Sequence, residues 1–540
     1  MKRASVWCFA LIVAISIPRF ARSTELLPAD KPIQEVIDFY VDLKLAEEGV
    51  RAAPLADDAN IVRRTTLDLV GRIPTVVESK AYLEASSDNR RQELVDRLTT
   101  SPAFVRHQVN EFDTLLMDGT GRSLRDYLQK ALQEKRPWDQ MFRELLIGEE
   151  SDPEQKGAAQ FVKARVKDLD KLSNQASVIF FGVNVSCAQC HDHPLVPDWT
   201  QEHFFGMKSY FSRTFENGDF IAERDYGLVK YKTTGGEERT AKLMFLTGTV
   251  IDEPESKEPS DEEKKKEKKT LEELKKKKQA PPPPVYSRRA QLVDVALRPE
   301  ENQYFAKAIV NRIWYRLFGY GLVMPIDQMH PENTPSHPEL LEWLARDIVA
   351  HGYDLTRLVR GIVLTHAYAR TSLWESEERP RKRYFAVANA RPLSPHQYAS
   401  SLRVASMNPD VYSADMKAED FEKRIEGIER SARGLAGLFD QPRNDFQVSV
   451  TEALLFNNSE RIVNDLLRDA GDSLLGKAKS IEDTNEIINV VALNVLCREP
   501  KQDEVELMSK FLKEREDRKA EGIRQIIWAL LASSECRFNY

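Results

Sequence analysis

Apolar residues recur at three- and four-residue intervals along most of the chain, the pattern of amphipathic helices that bury one face. Asp30 stands where a cap is expected, ahead of Ile33, Val36, Ile37, Tyr40 and Val41 on one face. A second helix is expected to end at Gly71, and Thr75-Val-Val-Glu78 has the reciprocal form of a capping box. Pro137 opens a further helix with Trp138, Met141, Phe142, Leu145 and Leu146 at helical spacing. After residue 285 the same pattern returns. Ser336-His-Pro-Glu339 and Ser394-Pro-His-Gln397 again fit capping boxes with proline near the helix start. Leu355, Leu358, Val359, Ile362 and Val363 form one stripe, and Ile523, Ile526, Ile527, Leu530 and Leu531 another. Such stripes are core.

Between about 225 and 250 the period changes. LVKYK and AKLMFLTGTV alternate or run apolar around a Thr-Gly-Gly turn, which predicts a small hairpin. Residues 252–284 then break the pattern. Ten acidic and ten basic side chains fall between Asp252 and Lys278, followed by the run Pro281–Pro284. Such a segment has too little apolar surface to fold alone, and its prolines favour an extended spacer. LEELKKKK within it has the composition of a transient helix. The expected fold is therefore mainly α: two helical regions, 30–225 and 285–540, with a small β element at 226–251, joined by the charged and proline-rich linker at 252–284.

The start of the chain has a different character. Lys2 and Arg3 precede an apolar run, Val6–Ile17, and Ala21-Arg22-Ser23 supplies a small-x-small cleavage pattern. Residues 1–23 are thus expected to be a signal peptide. The run is short for a bilayer span, and no later segment is apolar for long enough to make one. The reading is an exported protein of the periplasm or cell envelope, without stable membrane insertion once the signal is cleaved. A net charge of -7 over 540 residues, with the lysines of the linker cancelled by acidic neighbours, argues against a nucleic-acid partner.

Export gives the cysteines meaning. Cys8 leaves with the signal, and the mature chain keeps Cys187, Cys190, Cys497 and Cys536. The last two sit in apolar segments and behave as small hydrophobes. Cys187 and Cys190 stand in SCAQCHDHP, where Cys-x-x-Cys-His is the attachment pattern of c-type haem. Two thiols meet the two vinyl groups of the porphyrin, and His191 follows as the axial ligand. Phe180, Phe181, Trp199, Phe204, Phe205, Tyr210 and Phe211 flank the motif and could line a ring-sized apolar slot. Thr200 is placed to cap a helix bearing Phe204, Met207 and Phe211 on one face.

For the opposite face of the iron, His193 is too near, since two residues span at most about 7 Å. Met207 and His203 have enough chain, and Met207 is preferred because thioether ligation raises the potential. Two other chemistries stay open at this point. Cys187, Cys190, His193 (or His191) and His203 could form a tetrahedral zinc set, and Cys187 could pair with Cys190 in a disulfide. No GxSxG, HExxH or phosphate loop is present. His330, His337, His366 and His396 fall near helix ends or on helix faces as structural residues, and Asp327 with His330 is a minor polar candidate.

Several long motifs occur together. DDANIVRRTTLDLVGRIPT, then VSCAQCHDHP and DWTQEHFF, resemble the second of the planctomycete cytochrome-type domains. FAKAIVNRIWYRLFGYGLVMPID, PSHPELLEWLARDIVAHGYDLTRLVRGIVLTHAY and RPLSPHQY resemble its usual C-terminal companion, the PSD-type domain. The resemblance covers about 30–225 and 285–540, and it implies export and a haem-like motif at Cys187, Cys190 and His191. After His193 the sequence LVPDW departs from the shorter stretch common in such proteins. The function expected is an exported c-type haem protein in electron transfer, or in support of an oxidoreductase step, with a redox protein or exported enzyme as partner. The alternative is a non-enzymatic helical scaffold clipped by zinc or a disulfide.

Overall fold

The computed structural model describes residues 26–194, 196–197, 199–301, 303–442, 452 and 459–540, with the Arg461 side chain excepted. The expected signal peptide and Cys8 lie outside the described residues. Helices dominate, and the strands form four separate two-stranded antiparallel sheets. The mainly α reading is correct. Among the described residues no helix is long and apolar enough to cross a membrane.

Local signals acted where a side chain could reach its amide. Thr75 and Glu78 form the expected reciprocal box, and the Glu78 carboxylate also takes both Nη atoms of Arg72 at 2.7 and 2.9 Å. Ser394 and Gln397 form another. Two expected caps are absent. Pro32, not Asp30, occupies the N-cap of the Ile33–Glu48 helix, without a side-chain bond. His337 starts the Pro338–Ala350 helix, while the Ser336 hydroxyl turns to His337 Nδ1 at 3.0 Å and its amide to the Leu322 carbonyl.

The β prediction holds in outline. Lys230–Lys232 pairs with Glu238–Thr240, Tyr231 facing Arg239, and Leu243–Met244 pairs with Val250–Ile251. A further hairpin, Thr214–Asn217 with Phe220–Glu223, lies ahead of the predicted β region. In place of an extended spacer, Asp261–Lys276 is a helix capped by Ser260 and Glu263, with no buried residue. It rests on the hairpin, where Asn217 donates to the Leu271 carbonyl and Arg224 pairs with Glu267.

That charged segment does not divide the core. One apolar cluster runs from Ile33 through Leu246 and on from Leu292 to Val387. Trp138 and Phe142, before the segment, meet Phe305, after it, at ring separations of 6.2 and 4.7 Å. A second cluster begins at Leu393 and runs to Cys536, and it also takes in Leu67 and Ile73 from the N-terminal part. Charge composition shows which residues cannot be buried; it does not show that their flanks part company.

The Asp58–Val70 helix joins the two clusters. Ile61, Val62, Leu69 and Val70 enter the first and Leu67 the second. Arg63, Arg64 and Asp68 on the same helix are also buried, which is costly unless each charge is partnered. Arg63 donates to the Glu535 carbonyl and stacks over Tyr540. Arg64 donates to the carbonyls of Tyr368, Arg370 and Tyr540. Asp68 accepts from Tyr368 Oη at 2.6 Å, from Arg391 at 3.0 and 2.7 Å, and from Asn539 at 3.0 Å. Three distant stretches of chain thus converge on one helix.

Candidate functional site

Local geometry places the two thiols together. Ser186–Gln189 is a single 3-10 turn, with Cys190 at its C-cap. In such a turn residues i and i+3 eclipse, so Cys187 and Cys190 fall on one face. Ala188 between them is completely buried, and both cysteines are exposed with free thiols. The disulfide that stood as an alternative is not formed.

Around the turn, main-chain groups are held firmly. Asn184 Oδ1 accepts from the Ser186 amide, and Gln189 donates to Asp170. The residue that sequence reasoning missed is Gln201, buried at the start of the Gln201–Ser209 helix. Its Nε2 donates to the carbonyls of Gln189 and Cys190 at 3.3 and 3.4 Å, and its Oε1 accepts from the Thr234 amide. Its own amide donates to Asp192 Oδ1 at 3.2 Å. One side chain therefore ties the motif to the β region. Only its tertiary position reveals this, since a glutamine in a first turn has no local signature.

His191 is exposed, with Nδ1 2.7 Å from the Asp192 carbonyl. A carbonyl can only accept, so Nδ1 carries the proton and a neutral ring leaves the Nε2 lone pair available. His193 is different. Its amide donates to the Trp199 carbonyl at 2.7 Å, and its buried ring lies edge-on to Trp199. His330 from the second half stands 6.3 Å from it, ring to ring. Burial lowers the pKa of His193, and neighbouring His330 and His191 lower it further; burial also lowers that of His330. The contact exists because Val183 bridges Gln328 and the Asn184 amide donates to the Asp327 carbonyl. Asp327 thus helps seat the loop through its backbone.

Other expectations change. The aromatic side chains do not line an open slot. Phe180 packs on Trp138, Phe142 and Phe161, Phe181 packs on Phe142 and Phe245, and Phe204 on Phe205. Their mutual packing fills that space. Met207 is completely buried in the core, whereas His191 faces outward, so the structure does not bring the two to one surface. His203 accepts from the Thr200 amide at 3.3 Å through Nδ1. Cys187, Cys190, His193 and His203 are accordingly not gathered as a zinc set; among the described residues no three His, Cys, Asp or Glu side chains converge on a metal-sized site. Cys497 and Cys536 are buried, as expected, and burial pushes their thiols up to about 12 and about 11.

What the fold and this loop define is a mainly helical protein presenting a Cys-x-x-Cys-His turn at its surface. Residues 36–216, which contain the turn, match the family model described as PSCyt2, a protein of unknown function (DUF1549). Residues 288–512 match that described as PSD1, a protein of unknown function (DUF1553). These are the two domains the resemblance named, in the same order; neither description assigns an activity. No curated protein and no solved structure matches the chain.

Proposed function

We propose that this is an exported electron-transfer protein that carries a c-type haem on Cys187, Cys190 and His191. The observation supporting it is the joint exposure of both thiols on one face of a held turn, next to a histidine whose Nδ1 is already engaged. Cys187 and Cys190 would hold the group through thioether bonds to its two vinyl substituents, an addition with no net oxidation. His191 would hold the iron through Nε2, with its Nδ1 bond to the Asp192 carbonyl fixing the ring. Gln201 holds the carbonyls of Gln189 and Cys190, keeping the cysteines in register. When bound, the group supplies one-electron chemistry. With the aromatics closed on one another, the attachment lies at the surface, where a redox partner can approach.

Expression alongside a cytochrome c maturation system, followed by a haem stain of the denatured chain, tests this. The stain is expected in the wild type and lost in Cys187→Ser/Cys190→Ser. An unstained chain holding zinc in stoichiometric amount would instead support the scaffold reading.

A further inference from the structure

Beside the Asp68 hub lies a second polar cluster, built from both family-matched segments. Arg316, on the Gln303–Phe318 helix, has Nε and Nη2 shielded from solvent and without a hydrogen-bond partner. These two atoms form the side-on edge of the guanidinium, with parallel N–H bonds suited to two oxygens of one acid group. Elsewhere in this protein that edge holds a carboxylate. Arg498 uses it on Glu535 at 2.6 and 2.7 Å, and Arg288 uses it on Glu253. Among the described residues, Arg316 alone has both atoms of this edge buried and unpartnered.

Its acidic neighbours do not fill the role. Asp68 and Glu111 attract Arg316 through space, but the Asp68 oxygens are occupied by Arg391, Tyr368 and Asn539. Among the described residues Glu111, on the Pro102–Met117 helix, has one side-chain hydrogen bond, from the Ser394 hydroxyl at 3.5 Å. Burial raises the Glu111 pKa, while Arg316 and His396 beside it pull the other way. His396, at the start of the Pro395–Ala405 helix, accepts from Arg125 at 3.2 Å. Arg316, Glu111 and His396 are each half-buried, screened but not sealed.

A buried cationic donor pair without acceptors costs more than a neutral one. A small oxyanion would satisfy both donors at once. We propose that Arg316, flanked by Glu111 and His396, binds a small oxyanion through its Nε and Nη2 edge, where the two family-matched segments meet. The inference is independent of the haem reading.

Calorimetric titration of the full mature chain with inorganic phosphate, sulfate and acetate tests it. Saturable binding is expected, weaker by about tenfold or more in Arg316→Gln and in Arg316→Lys, which keeps the charge but loses the fork. Glu111→Gln, which supplies a donor, should bind at least as well as wild type. Uptake of phosphate and sulfate alone would define a tetrahedral anion, and uptake of acetate alone an organic acid. Wild-type crystals grown with selenate or bromoacetate give a readout free of any folding defect, with an anomalous peak expected at the Arg316 edge. Binding that survives both Arg316 variants, no saturable binding, or only an ordered water at that edge would overturn the proposal.

Discussion

Asp68→Asn probes the junction on which this architecture depends. The substitution keeps the side chain's size but removes its charge and exchanges one acceptor oxygen for an NH2 donor. Four hydrogen bonds reach the Asp68 carboxylate, two of them from Arg391. In the variant one oxygen must serve donors that two served before, and the Arg391 guanidinium, 15% exposed, loses its bonded carboxylate. Removing one partner of a buried pair costs about 3–5 kcal/mol. The slight exposure of Arg391, and its bond to the Arg316 carbonyl, favour the lower end, about 3 kcal/mol. Tyr368→Phe removes only one bond to a charged acceptor, about 1.5–3 kcal/mol. Asp68→Asn/Arg391→Met removes both charges and should recover part of the loss. Urea unfolding followed by circular dichroism and tryptophan fluorescence gives the ordering. Hydrogen exchange at 538–540 should quicken in Asp68→Asn, because Asn539 bonds directly to that carboxylate. A loss below about 1 kcal/mol, or unchanged exchange at the C-terminus, would refute the reasoning.

Acidification should destabilise the fold in a defined window. Burial, with Arg316, lowers the pKa of His107 to about 3, and burial, with Lys44 and Arg383, lowers that of His337 to about 4. The unfolded chain protonates both near 6.5, so from there down to about pH 4 it binds protons the folded chain refuses. Stability then falls by about 1.4 kcal/mol per pH unit for each histidine, measurable from urea midpoints between about pH 7 and pH 5. Met207→Ala should cost about 2–5 kcal/mol through the cavity it leaves, yet keep any haem stain, since Met207 is buried away from the exposed His191. Lys268→Pro should break the Asp261–Lys276 helix, at about 3 kcal/mol to that helix. Because no residue of the helix is fully buried, the main unfolding midpoint should move little while the helical dichroism falls.

Legibility in the sequence followed the range of each interaction. The capping boxes at Thr75 and Ser394 and the stripe at Ile33–Val41 depend on residues within one or two turns, and they formed as expected. Asp30 and Ser336 failed because a proline and a histidine stand between them and the helices they were to cap. Within the candidate site, residue spacing gave the thiols and His191, since i to i+3 in a tight turn is local. The role of Gln201 and the contact between His193 and His330 were hidden, because the first depends on the approach of Thr234 and the second on the pairing of 183–184 with 327–328. The aromatic cluster was visible in composition, but only packing shows that its rings meet one another. Arg316 reads as a charged position on a helix, and its unfilled donor edge exists only in three dimensions.

The central claim is a covalent one, and intact mass spectrometry tests it most directly. The mature chain should be isolated from cells able to attach haem and treated with a thiol alkylating agent under denaturing conditions. The account predicts a mass increased by one haem, with Cys497 and Cys536 alkylated and Cys187 and Cys190 blocked. A chain without that increment, alkylated at all four cysteines, would contradict it.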